Sequence, residues 1–393
     1  MEQHMEHPDR PETFTQTFSL LGGPLHRLGC RLGLVRGEAN TLPLGLALGA
    51  FLWLVLLALS LIEGIGEKVF SMPVIGAHVR LLLAIPLLFF CESYVDPRMT
   101  VFVSEIVAAE VVPKAALPVL ASDVARTTRW KNAWLPDVVC LLAAMLVTLL
   151  MPHWGLSGVS GTYDPNHPAA VTLTGQWYWF VCLTVFRFLL LRWLWRLLLW
   201  CQFLWRISRL KLHLIPTHPD GAAGLGYLEV VHTEFLPLIL AISAIQSASI
   251  AERIATGTAT IEAVYPVVAF VLAINALLFL APLCIFTPFL WAARVKGLAD
   301  CMALASHYVN DFDKKWLRAV APAEPLLGNA DLQSLADLSN SVNIVRQMHL
   351  VPTGQRLLVM MAVASVLPLL PLLLFQYPLA NLTTTLFKML LGL

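Results

Sequence analysis

Residues 43–62 read PLGLALGAFLWLVLLALSLI, twenty positions without a single charge. The hydrocarbon core of a bilayer takes about 20 apolar residues of helix, and a helix satisfies all of its own backbone hydrogen bonds there. The stretch therefore predicts a membrane-spanning helix. Six further stretches read the same way: 75–95, 133–151, 171–200, 227–250, 264–290 and 357–375. Hydrophobic residues make up 58% of the 393 and charged residues only 13%, too little polar surface to clothe a water-soluble fold of this size. The expected class is all-α: a polytopic membrane protein with seven transmembrane helices and a helical cytoplasmic layer.

Lys and Arg are spread unevenly between these stretches. Arg10, Arg27, Arg31 and Arg36 precede the first, and Arg98, Lys114, Arg126, Arg129 and Lys131 follow the second. Arg206, Arg209 and Lys211 follow the fourth, and Arg294, Lys296, Lys314, Lys315, Arg318, Arg346 and Arg356 follow the sixth. The other connections hold Lys68, none, and Arg253, with Lys388 alone beyond the last stretch. Positive-inside counting puts the N-terminus in the cytoplasm and the C-terminus outside. The chain then divides into a cytoplasmic segment 1–42, helices one to six over 43–290, a cytoplasmic helical segment 291–356, and the last span with an external tail over 357–393.

A net charge of +1 offers no concentrated basic face, which excludes nucleic acid as a partner. The seven cysteines form no Cys-x-x-Cys pair and none falls in the external loop 152–170, so a disulfide framework is not expected. The polar, acidic start lacks the basic region and short apolar core of a cleaved signal. Eighteen Arg against eight Lys, with abundant Leu and Ala, leans toward a bacterial inner membrane.

The connections carry their own pattern. Pro113 and Pro118 break 99–131 into what read as two short surface helices. Trp177, Tyr178 and Trp179 mark an outer interface, and the fourth helix is expected to run on toward Leu214. Leu298, Met302, Ala305 and Val309 extend the sixth helix as an apolar stripe. Leu332, Leu335, Leu338, Val342, Val345 and Met348 form another, with Asn329 as its N-cap and Pro352 closing it. No internal repeat stands out, so an inverted-repeat transporter is not supported.

Three polar groupings carry the functional reading. Arg187, Arg192 and Arg196 lie inside the fourth stretch, with Glu92, Asp137, Glu229 and Glu234 as acidic partners at similar depth. Ionisable groups there are costly and pair or meet water, so these residues are either a lock between helices or an anion or gating site. The loop 218–226, HPDGAAGLG, matches neither a P-loop nor a dinucleotide fingerprint. It is either a sharp turn or, through His218, Asp220 and His232, a metal or phosphate site. Ser243, Gln246, Ser247, Asn275 and Ser365, with Pro368 and Pro371, put polar groups and helix breakers into otherwise apolar stretches. They serve as interhelical hydrogen bonds or as the lining of a path.

Seven helices, an internal N-terminus, lengthened fourth and sixth helices and an internal helix before the last span together resemble the seven-helix cation channels of insect odorant and gustatory receptor type. The resemblance is one of topology over most of the chain. The Tyr-containing signature of that family's last helix is not matched, Phe375-Gln376 being at most a remnant, and the 218–226 loop is not part of its pattern. The resemblance implies ion or small-solute permeation by a homo-oligomer in the lipid bilayer. A metal-dependent membrane enzyme and a sensor or scaffold stand as alternatives. No motif names a cofactor.

Overall fold

A computed structural model describes residues 18–31, 33, 35, 40–150, 172–258, 264–318 and 329–375. A short helix α1 (Pro24–Arg31) precedes α2 (Leu42–Ile62), which Pro43 opens, where its missing N–H costs nothing. Gly45 and Gly49 are buried where α2 crosses α3 (Ile75–Ala108). A Cβ at Gly45 would stand 2.7 Å from the Phe89 side chain, and one at Gly49 would strike the Leu81 carbonyl. Small residues here let two membrane helices approach.

After α3 the chain turns through Val111 into α4 (Leu117–Asn132), then bends by 46° into α5 (Trp134–Leu150). Next come α6 (Leu183–Ser208), α7 (Tyr227–Thr233), α8 (Leu236–Ala255) and α9 (Val264–Phe279). A 52° bend at 280–282 leads through Leu283–Phe286 into α10 (Thr287–Phe312), followed by α11 (Ala330–Gln347) and α12 (Gln355–Val366). The last element winds on as a 3-10 helix over Leu367–Phe375. No β-strand occurs among the described residues.

The core lies around α3 and α8. The first packs against α2, α6, α7 and α8, and the second against α3, α9, α12 and the 3-10 segment. On one flank α6 carries α4 and α5; on the other, α10 pairs with α11. Outward-facing positions stay apolar: Phe51, Leu54, Leu142, Leu146, Leu277 and Val359 are all exposed, as hydrocarbon rather than water would favour.

Among the described residues, four helical stretches are long and apolar enough to cross a membrane: Leu42–Ile62, Ile75–Ala108, Tyr227–Ala255 and Gln355–Leu372. The bent pairs α4–α5 and α9–α10 raise this to six if each is one span. The remaining expected span forms α6, whose Arg187, Arg192, Arg196 and Arg206 lower its hydropathy.

Several local expectations change. The segment 99–108 continues α3 instead of forming its own surface helix, because Pro97 is absorbed within that helix and the break falls at Pro113. Helix α6 ends at Ser208, short of Leu214. Tyr178 and Trp179 are core residues at 1% and 2% exposure, not interfacial rings. Their polar tips are taken up inside, Tyr178 by Arg80 and Trp179 by the Thr148 carbonyl. Asn329 does cap α11, accepting from the Asp331 N–H at 2.8 Å. The 152–170 loop and the tail 377–393 lie outside the described residues.

Candidate functional site

The acid that meets the buried arginines is Glu92, on α3. Its Oε1 accepts from Arg196 Nη2 at 2.7 Å and its Oε2 lies 3.7 Å from Arg192 Nη1. Arg192 also stands 3.9 Å from Asp137 on α5, so the cluster joins α3, α5 and α6. An isolated charge here would be prohibitively desolvated; pairing is what makes the site tenable.

The stretch 18–23 lies across this cluster. Phe18 stacks on Phe203 with ring centroids 4.2 Å apart, and Arg192 Nη2 donates to the Gly22 carbonyl at 2.8 Å. Asp96 accepts from the backbone N–H groups of Leu20 and Leu21 and from the Ser19 hydroxyl.

The other expected members of this network sit elsewhere. Arg187 donates to Thr148 Oγ1 at 2.7 Å and lies over the Trp179 ring. Glu229 accepts from the Gly354 N–H at 2.7 Å, tying α7 to the start of α12. Glu234 pairs with Arg98 at 3.2 Å.

A second polar cluster, which the sequence reading passed over, closes the opposite end of the bundle. Arg80 donates to the Tyr178 hydroxyl at 2.7 Å and to Ser249 at 2.9 Å, and stands 3.9 Å from Glu252. Both Arg80 and Tyr178 lie in π-helical turns, Val79–Ala84 and Trp177–Cys182, whose extra residue re-aims their side chains. Glu252 Oε1 accepts from the Gly76 N–H at 2.8 Å, while its Oε2 is buried without a hydrogen bond among the described residues. The signal was available: opposite charges just inside or just past two spans at one predicted end.

In the 218–226 loop, Asp220 does the organising. Its carboxylate accepts from the N–H groups of Ala222, Gly224 and Gly226 at 2.8 to 3.2 Å and lies 2.8 Å from His218 Nδ1. Burial opposes its ionisation, but the three backbone donors outweigh that and hold the carboxyl below its ordinary range. The turn is fixed at its edges: the His349 N–H donates to the Gly221 carbonyl and the His213 N–H to that of Val111.

His232 is not brought to this loop. It is buried against Trp200, whose indole N–H lies 3.3 Å from Nε2. An indole only donates, so Nε2 accepts and is committed. Among the described residues no group of three or more His, Cys, Asp or Glu gathers as a metal site. The proposed metal set thus separates into a turn and a core histidine.

The third grouping also divides. Asn275 Nδ2 donates to Ser243 Oγ at 3.3 Å and to Ser365 Oγ at 3.0 Å, joining α9, α8 and α12 at a point almost closed to solvent. Its Oδ1 is buried without a hydrogen bond among the described residues. Gln246 is half-buried. Ser247, Pro368 and Pro371 line a separate cavity of about 420 Å³. On α8 its wall is Ala244, Ser247, Ala248 and Ala251, small side chains three and four residues apart that set the helix surface back. Ile75 and Val79 face it from α3, and Phe375 from the 3-10 segment.

No family model, curated protein or solved structure matches this chain.

Proposed function

We propose that the protein is a bacterial inner-membrane permeation protein, and that small solutes pass on the side formed by α8, α9, α12 and the 3-10 segment. One observation carries this reading. The last span abandons its α-helix at Leu367, next to the Ser243–Asn275–Ser365 group and against the 420 Å³ cavity. Helices interrupted at membrane depth accompany solute sites.

In this reading α6 is the additional crossing, seven in all, with the N-terminus in the cytoplasm. Solute flux through liposomes holding the purified protein tests permeation, against liposomes holding Ala248→Phe. Flux no greater than through empty liposomes would end it. A reporter fused after Thr162 should read external and one after Asn329 internal; reversal of either overturns the topology.

The protein acts as a homo-oligomer through α10. This rests on exposed Trp291, Val295, Met302 and Val309, which leave an apolar stripe on a helix whose other side packs on α11. Cross-linking in native membranes tests it, a ladder of multimers being expected and monomer alone refuting it.

A further inference from the structure

The 420 Å³ cavity has a composition that selects its occupant. Among the described residues lining it, Ser247 alone carries a side-chain hydrogen-bonding group and none is ionisable. Ser247 is 8% exposed, and no hydrogen bond of its hydroxyl occurs among the described residues. An inorganic ion entering such a space would lose its hydration and gain one hydroxyl in return. The space opens outward beside exposed Met72 and Leu83, and hydrocarbon suits its apolar lining. The volume lies in the range of small-molecule sites, which are mostly apolar with a few placed polar groups.

We propose that this cavity binds a neutral, single-chain amphiphile, its hydrocarbon chain lying between Ala248 and Pro371 and its one hydroxyl or carbonyl group meeting Ser247. This deepens the permeation reading by naming the solute class of the same site. A carboxylate or phosphate head would find no cationic partner on the lining. The prolines suit this wall: Pro368 and Pro371 have no N–H, so the segment turns ring carbons toward the chain without stranding a backbone donor.

The test is photolabelling of the purified full chain in lipid nanodiscs with a diazirine-bearing hexadecanol, read by peptide mapping. Label is expected on 244–251 and 367–375, displaced by unlabelled hexadecanol but not by palmitate or added phosphatidylcholine. Ala248→Phe should cut labelling at these peptides at least tenfold, and Ser247→Ala should weaken competition by about fivefold, the worth of one hydrogen bond. Ala251→Leu gives a second, gentler filling if the phenylalanine variant does not fold, which thermal unfolding reports.

Label spread evenly over lipid-facing positions such as Phe51 and Leu54, and unchanged by either filling variant, overturns the proposal. So does displacement by phosphatidylcholine, which assigns the space to bulk lipid. Because labelling needs no flux, specific labelling without transport leaves this site standing while the permeation reading falls.

Discussion

Glu92 and Arg196 meet at 2.7 Å with side chains 4% and 7% exposed, and the same carboxylate is shared with Arg192 at 3.7 Å. One acid thus neutralises two guanidinium groups, with Asp137 as a more distant fourth member. Breaking a buried pair leaves a stranded charge, whereas removing both partners can be close to neutral.

Glu92→Leu should therefore cost about 3–5 kcal/mol, more than Arg196→Leu, because it strands Arg196 and leaves Arg192 only the more distant Asp137. The double variant Glu92→Leu/Arg196→Leu leaves Arg192 with Asp137 and should be milder than Glu92→Leu alone. Denaturant titration in detergent micelles measures all three, and simple additivity would refute the lock.

The 218–226 turn should weaken in acid. A carboxyl held below its ordinary value of 3.8 contributes its full stabilisation above that pH and loses it as pH falls through the lower folded value. The protection of Ala222, Gly224 and Gly226 from hydrogen exchange, taken relative to an unstructured chain at the same pH, should stay high above about pH 4 and fall only below it. Asp220→Ala should remove the protection at all pH values, at about 1.5–3 kcal/mol. Protection that persists in Asp220→Ala contradicts this account.

In the same loop, glycine should matter more than histidine. Gly224 has φ +96° and a Cβ there would lie 2.6 Å from Val111 Cγ2, so Gly224→Val meets both strain and a clash. His218 is partly exposed and holds only one side of Asp220, so His218→Ala should leave the melting temperature nearly unchanged. Thermal unfolding of the two variants decides the order. Metal bound to the wild type and lost in His218→Ala would reinstate the site reading.

Asn275→Leu should loosen the α8–α9–α12 junction, since it leaves the Ser243 and Ser365 hydroxyls without their shared partner. Polar contacts between membrane helices are worth about 0.6 and at most about 1.7 kcal/mol, so the expected loss is modest and the fold survives. Replacing all three by Ala should cost less than the single variant. If flux changes while stability does not, the group belongs to the path and not only to the junction.

Much of the scaffold was legible because hydropathy is local. The uncharged run 43–62 became α2, and the stripe from Leu332 to Met348 became α11 under its Asn329 cap. Bends were harder: Pro282 stands at the break before Leu283, but Pro266 and Pro288 in the same stretch sit in the first turns of helices, so the prolines alone do not say which one bends the chain. Pairing was harder still. Glu92, Asp137, Glu229 and Glu234 were equal candidates for Arg196, and only the relative rotation of α3 and α6 selects Glu92. Arg80 and Glu252 were overlooked because they lie 172 positions apart at helix ends, and two π-helical turns, invisible to a 3.6-residue period, direct the cluster inward.

The stretch from Phe18 to Gly23 has partners that a ribosome supplies much later. Asp96 belongs to α3, whereas Arg192 and Phe203 belong to α6 and emerge much later than the stretch itself. During synthesis these early residues can meet Asp96 once α3 has emerged, but their seat is complete only when α6 supplies Phe203 and Arg192, and Arg192 and Arg196 need Glu92 waiting for them. Seating of the early segment is thus a late event in biogenesis, a latch set once the helices it crosses have been inserted. A bulky fusion placed just before Phe18 would be expected to disturb final assembly while leaving membrane insertion intact.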